Sequence, residues 1–207
     1  MPPRAKFTKG EIVEAAVGIA RKGGIGAVTA REVGAALGVS SRPLFTYFDS
    51  VDDLKKEVYA FSRELYRKYV ERGLNDDIPF LGVWRQYLHF AKEEPELYKL
   101  LFLTPPDNVS GGAMEAMRFS QDLVRGSIMK IYNMDAETAD SYFRDIWLVA
   151  FSYATLIVTD DCPYTFDEML AVGTEVSLSV CKAYKEIPSL AKGEYDRDKI
   201  FGELVKK

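Results

Sequence analysis

The chain has 207 residues, 47% of them hydrophobic, with a formal net charge of −4, enough apolar material for a well-buried core in one or two domains. No run reaches the roughly 18 apolar residues that a membrane span needs, and no apolar stretch of signal-peptide type follows MPPRAKFTKG, so a soluble, cytoplasmic protein is expected. The overall charge hides a segregation. Residues 1–48 hold seven Lys or Arg against three Asp or Glu, and the remainder holds 20 against 28; a small segment that meets an anion, joined to a larger body that does not, has this pattern, as does a plain solvated basic face.

Helix signals run through the chain without strict apolar alternation or an internal repeat, so the fold class is all-α. Thr8 and Glu11 have capping-box spacing, with Phe7 and Ile12 as a hydrophobic staple, and Ile12, Ala15, Ala16 and Ile19 make the apolar face of a first helix. Gly23 and Gly24 end it. Thr29 and Glu32, flanked by Val28 and Val33, repeat the pattern for a short second helix ending near Gly38.

Residues 37–48, LGVSSRPLFTYF, place a proline inside an apolar helical rhythm. With Ser40 as N-cap, Pro43 falls in the first turn, where its missing N–H has no intrahelical partner to lose. The spacing therefore predicts a third helix starting at Ser41, with Ser50 and Asp53 opening a fourth. Two short helices joined by a tight Gly-Val turn make a helix-turn-helix, whose second helix enters the major groove. Arg42 is the one long cation there, suited to a bidentate contact with guanine, although a surface arginine beside packing aromatics is the bland alternative.

Residues 29–59, TAREVGAALGVSSRPLFTYFDSVDDLKKEVY, closely resemble the DNA-binding signature of the tetracycline-repressor (TetR) family of bacterial transcriptional regulators. The likeness is carried by Thr29, the turn Leu37-Gly38-Val39-Ser40, Leu44, Phe45 at the usual tyrosine position, Phe48 and Leu54. It implies a two-fold dimer that binds a palindromic operator in double-stranded DNA. It also implies a helix-turn-helix domain over residues 1–50 and a helical effector-binding and dimerisation domain over 51–207, with 51–72 as connecting helix. The implied DNA contacts are Thr29, Arg31, Ser41, Arg42, Pro43, Phe45, Thr46 and Tyr47. Two positions depart from the family: Phe45 lacks the phenolic hydroxyl, and Val51 stands where a phosphate-binding lysine is common, a loss that Lys55 or neighbouring Lys56 would offset.

Further on, residues 90–102, FAKEEPELYKLLF, resemble a TetR subgroup with a later Trp-x-x-x-His-Gly element. Trp147 matches its tryptophan, but Phe151 and Ser152 replace the following pair. Met114, Met117, Gln121, Val124 and Ile128 make one helical stripe. With Trp84, Tyr87, Phe102, Phe143 and Trp147 it would wall a pocket for a small, largely apolar effector, although such stripes are more often plain core.

Residues 136–159 are apolar nearly all round. Residues 165–186 carry a stripe of Met169, Gly173, Val176, Val180 and Tyr184. These two helices are the expected homodimer interface, packed as a four-helix bundle with their mates; intrachain core is the alternative for the first. Residues 187–207 read as a polar tail with a short helix from Asp196 to Val205.

Cys162 and Cys181 are 19 apart without CxxC spacing, and the single histidine, His89, has no ligand cluster, so no metal or cofactor is expected. Nor is an enzyme: GxSxG, phosphate-loop and HExxH motifs are missing, leaving only acidic pairs such as Asp160 and Asp161. The expected function is a ligand-responsive repressor released from its operator by its effector. A protein-binding adaptor that keeps the helix-turn-helix as scaffold is the second reading.

Overall fold

A computed structural model describes residues 7–159 and 162–205, so the acidic pair Asp160 and Asp161 lies outside the described residues. Among the described residues there is no strand. The head comprises α1 (Lys9–Gly23), a one-turn 3-10 segment (Ile25–Ala27), α2 (Ala30–Ala36) and a second 3-10 turn (Leu44–Thr46). The capping box forms at α1: the Glu11 backbone N–H donates to Thr8 Oγ1 (3.2 Å) and the Thr8 N–H to Glu11 Oε2 (2.7 Å). At α2 it closes one way only. Thr29 Oγ1 accepts from the Glu32 N–H (3.2 Å), while the Glu32 carboxylate pairs with Arg31 (3.3 Å).

Between α2 and the second 3-10 turn, Gly38 takes φ +66°, and Gly34 lies so close to the turn that a Cβ there would meet the Val39 carbonyl oxygen at 2.9 Å. Leu44 and Phe48 then join Ile12, Ala16, Val33, Leu54 and Val58 in a buried core. Each of these side chains larger than alanine contributes about 1.5–3 kcal/mol.

The third helix expected from Ser41 does not form; the chain makes a single 3-10 turn at Leu44–Thr46, and no side chain caps it. The cause is Pro43. Its ring disfavours helical dihedrals at the preceding Arg42; the Leu44 N–H closes only a three-residue turn onto the Ser41 carbonyl (3.2 Å), and the extended N-cap Ser50 of the next helix follows soon after. Pro43 itself is helical, at φ −58° and ψ −30°.

The connecting helix α3 (Val51–Leu74) is capped by Ser50 and leads from head to body. The body holds α4 (Pro79–Glu93), α5 (Pro95–Tyr98) with a π-helical continuation (Lys99–Leu103), α6 (Gly112–Tyr132), α7 (Ala136–Val158), α8 (Phe166–Glu186) and α9 (Arg197–Val205). α3 and α4 touch backbone to backbone. A Cβ on Gly73 would come within 2.5 Å of the Val83 amide nitrogen, and one on Gly82 would collide with the Gly73 carbonyl.

α7 lies against α4, α6 and α8, and its Phe143, Ile146, Trp147, Ala150, Ala154 and Val158 are buried within the chain. Its apolar circumference is thus largely intrachain core. On α8, Met169 and Gly173 are also buried, Gly173 with its backbone against the Trp84 indole. Val176, Val180 and Tyr184, further along the stripe expected at a dimer interface, are partly buried against the same core. The outward faces carry Leu148 on α7 and Leu178 on α8, 49% and 66% exposed.

Candidate nucleic-acid interface and internal cavity

Most of the DNA-contact candidates border two surface hollows of the head. Arg42, Pro43, Thr46 and Tyr47 line a hollow with Phe7, Val39 and Ser40. Thr29 and Arg31 border a second groove with Ile19, Lys22, Gly23 and Ala27. Arg42 is exposed and makes no ion pair among the described residues. Phe45 is 52% exposed, and Ser41 is half-buried in the turn. Tyr47 is partly committed already: its hydroxyl donates to the Phe7 carbonyl (2.9 Å), fastening the segment before α1 to the second 3-10 turn.

Lys55 points toward carboxylates of its own chain. Its ammonium lies 3.8 Å from Asp52 and adds to the depression of the Asp107 carboxyl, which is caused first by the Ser110 and Val109 amides. Asp52 also accepts from the Asn108 side chain (3.0 Å). This cluster joins the start of α3 to the loop before α6.

Other links run between head and body. Arg21 on α1 forks onto Glu94. On α3, the Tyr59 hydroxyl donates to Glu115 (3.0 Å) and accepts the Gly111 N–H (3.2 Å), while Arg63 pairs with Glu115 (2.9 Å).

Inside the body, a cavity of about 30 Å³ is walled by Tyr66 and Val70 of α3, Phe80, Val83, Trp84 and Tyr87 of α4, Ser120 and Val124 of α6, and Phe143, Ile146, Trp147 and Ala150 of α7. Its hydroxyls are engaged within the protein. Tyr66 bonds Ser120 (2.9 Å), Ser120 donates to the Ala116 carbonyl (2.7 Å), and Tyr87 bonds Tyr98 (3.0 Å). Burial pushes the phenols of Tyr66 and Tyr87 well above their ordinary range, so both stay neutral. The Nε1 atoms of Trp84 and Trp147 are buried with no hydrogen-bond partner among the described residues.

Of the pocket residues expected from sequence, Trp84, Tyr87, Val124, Phe143 and Trp147 line this cavity. Phe102 stands behind them, its ring 5.4 Å from Tyr87 and 6.3 Å from Trp147. Met117 is buried elsewhere on α6, and Met114 is 55% exposed. Gln121 turns away to donate to the Asp140 carbonyl (3.3 Å). One turn before Val124 the inward position is Ser120 rather than Gln121, and a polar side chain there gives no apolar signal. Tyr66 and Val70 escaped for a similar reason: the buried side of α3 runs through Ser62 and Gly73 as well as apolar residues.

Cys162 and Cys181 are unpaired thiols. His89 sits at the surface, 3.3 Å from Glu93 and against the Phe166 ring. No group of three or more potential metal ligands is found among the described residues, and none of their helices is long and apolar enough to cross a membrane.

No curated protein matches the chain. Residues 12–58 match the family model of the bacterial regulatory proteins of the tetR family, and that stretch runs from the first buried residue of α1 through the turns to Val58 of α3. The N-terminal domain is thus of the type found in the DNA-binding transcriptional regulators of the tetR family, with a larger helical body behind it.

Proposed function

We propose that the protein is a homodimeric repressor, packed through the outward faces of α7 and α8, that holds a palindromic operator and releases it when a small, largely apolar effector occupies the internal cavity. The observation that carries this reading is the double use of α3. Leu54 and Val58 complete the core of the head, and Tyr66 and Val70, three turns further on, wall the cavity. An effector that displaces Tyr66 acts on the same rigid element that supports the recognition turn. Its differential affinity for two α3 positions then becomes a change in operator affinity, and the linkage is reciprocal. Thr29, Arg31, Ser41, Arg42, Pro43, Phe45, Thr46 and Tyr47 supply the DNA face. Lys55 contributes only if it leaves its carboxylates.

The test is selection from random duplex DNA at fixed, near-physiological salt, using protein shown by light scattering to be dimeric. An enriched palindrome whose affinity falls steeply with added salt is expected. Folded dimer that enriches nothing, and whose binding partners are insensitive to salt, would favour the adaptor reading, to which exposed Phe45 lends an apolar contact surface.

A further inference from the structure

We infer that the cavity is a receptor for a neutral, flat molecule bearing a hydrogen-bond acceptor, a lactone or ketone oxygen or a ring nitrogen, which the indole N–H groups of Trp84 and Trp147 hold; this rests on the ligand-responsive reading above. Neutrality follows from the wall. None of the twelve lining side chains is a carboxylate or a cation, so an ion would be buried without a counter-charge.

The acceptor follows from the polar groups that remain. An indole N–H can only donate, and buried donors are nearly always paired. Every hydroxyl of the cavity wall has a partner inside the protein. Only the two indoles, 4% and 5% exposed, have none among the described residues.

Size and shape are limited by what must move. The cavity of about 30 Å³ has room for about one water, so a ligand must push its walls apart. Trp84 is backed by Gly173 of α8, where a Cβ would lie 2.7 Å from Nε1. Trp147 is stacked on Phe151 at 5.0 Å. Two rings so held can slide in their planes more easily than tilt, which suits a planar bicyclic guest.

The chain has two tryptophans, these two, so indole signals report on the cavity alone. Full-length protein is titrated by calorimetry with coumarin and quinoline, which carry acceptors, with naphthalene, which has none, and with 2-naphthoate, an anion. The two indole N–H resonances are followed in parallel. Coumarin or quinoline is expected to bind at least tenfold more tightly than naphthalene and to shift an indole N–H resonance downfield, with 2-naphthoate weakest. Trp84→Phe and Trp147→Phe keep a ring and lose the donor; each should shrink the acceptor-to-naphthalene ratio several-fold. If a variant does not fold, the ratio and resonance shifts in the unaltered protein still decide. Equal affinity for coumarin, quinoline and naphthalene, with unshifted N–H resonances, overturns the donor role while leaving the cavity a ligand site. Failure of all four probes to bind overturns the inference and removes the cavity's support for the repressor reading.

Discussion

Arg21, in the last turn of α1, grips Glu94 at the junction of α4 and α5 with a two-point fork, Nε to Oε2 at 2.8 Å and Nη2 to Oε1 at 2.6 Å. Glu94 is the more enclosed partner, its side chain 14% exposed against 42% for Arg21. The guanidinium also lies over the Phe61 ring of α3, 5.8 Å from its centre, so one side chain of α1 reaches both α3 and the α4–α5 junction. Bidentate geometry puts such a pair at the upper end of the range for part-exposed ion pairs. A double-mutant cycle with Arg21→Ala and Glu94→Gln is expected to give a coupling of about 1 kcal/mol in thermal unfolding. Strict additivity of the two losses would show that the fork is incidental.

Operator recognition is expected to depend on Arg42. Arg42→Ala should cost about 1 to 3 kcal/mol of operator affinity and relax the preference at one base pair. The measurement is a repeat selection with the variant. Unchanged affinity and an unchanged motif would remove Arg42 from base readout. Arg31→Ala, which lacks only a solvent-exposed partner in Glu32, should lower affinity evenly across sequences if it meets phosphate.

Two glycine substitutions should move stability in opposite directions. Gly173→Ala drives a methyl into the Trp84 indole and should cost about 1–3 kcal/mol through overpacking, with a change in tryptophan emission. Gly126→Ala, in the middle of α6, meets nothing within 4 Å and should stabilise by about 0.5–1 kcal/mol. Chemical denaturation of both variants beside the parent settles the comparison.

Acid should loosen the helix starts. The Glu11 carboxyl is held below its ordinary value by the Thr8 amide, Glu168 by the Thr165 amide, and Asp53 by the Ser50 hydroxyl and then Lys56. A folded-state value depressed below the unfolded one stabilises above the unfolded range, and that contribution is lost as pH falls through the folded value. Melting temperature should therefore decline from about pH 5 to about pH 3. Glu11→Gln with Glu168→Gln should flatten the decline, because a glutamine can keep the box hydrogen bond without titrating. An unchanged slope in that variant would place the acid sensitivity elsewhere.

Much of the helix pattern was legible because its signals are local. Thr8 with Glu11, Thr29 with Glu32 and Ser50 with Asp53 each mark a start within four residues, and the helices begin there. At Ser41 the sequence misleads because two effects of Pro43 oppose each other: a proline suits a first helical turn, yet its ring disfavours helical dihedrals at Arg42. The cavity was half legible. Aromatic residues on α4 and α7 announced it, whereas Ser120 and Tyr66 hid their inward faces behind polar atoms. Two features depend on residues distant in sequence: the placing of Asp107 near Lys55, and the isolation of the two indole N–H groups. Neither has a signature in any short window.

The glycine pair Gly73 and Gly82 fixes how α3 can respond to the cavity. With backbone pressed on backbone at its far end, α3 has a fulcrum there and cannot slide lengthwise past α4. It can only swing. From Gly73 to Leu54 the arm is about 30 Å long, so a tilt of about 5° carries the head sideways by about 3 Å. In a two-fold pair the two heads would swing in mirrored senses and double that displacement against a groove repeat of about 34 Å. Under the proposed ligand-responsive dimer, a fulcrum without side chains would convert a disturbance the width of one ring into a mismatch with the pitch of DNA.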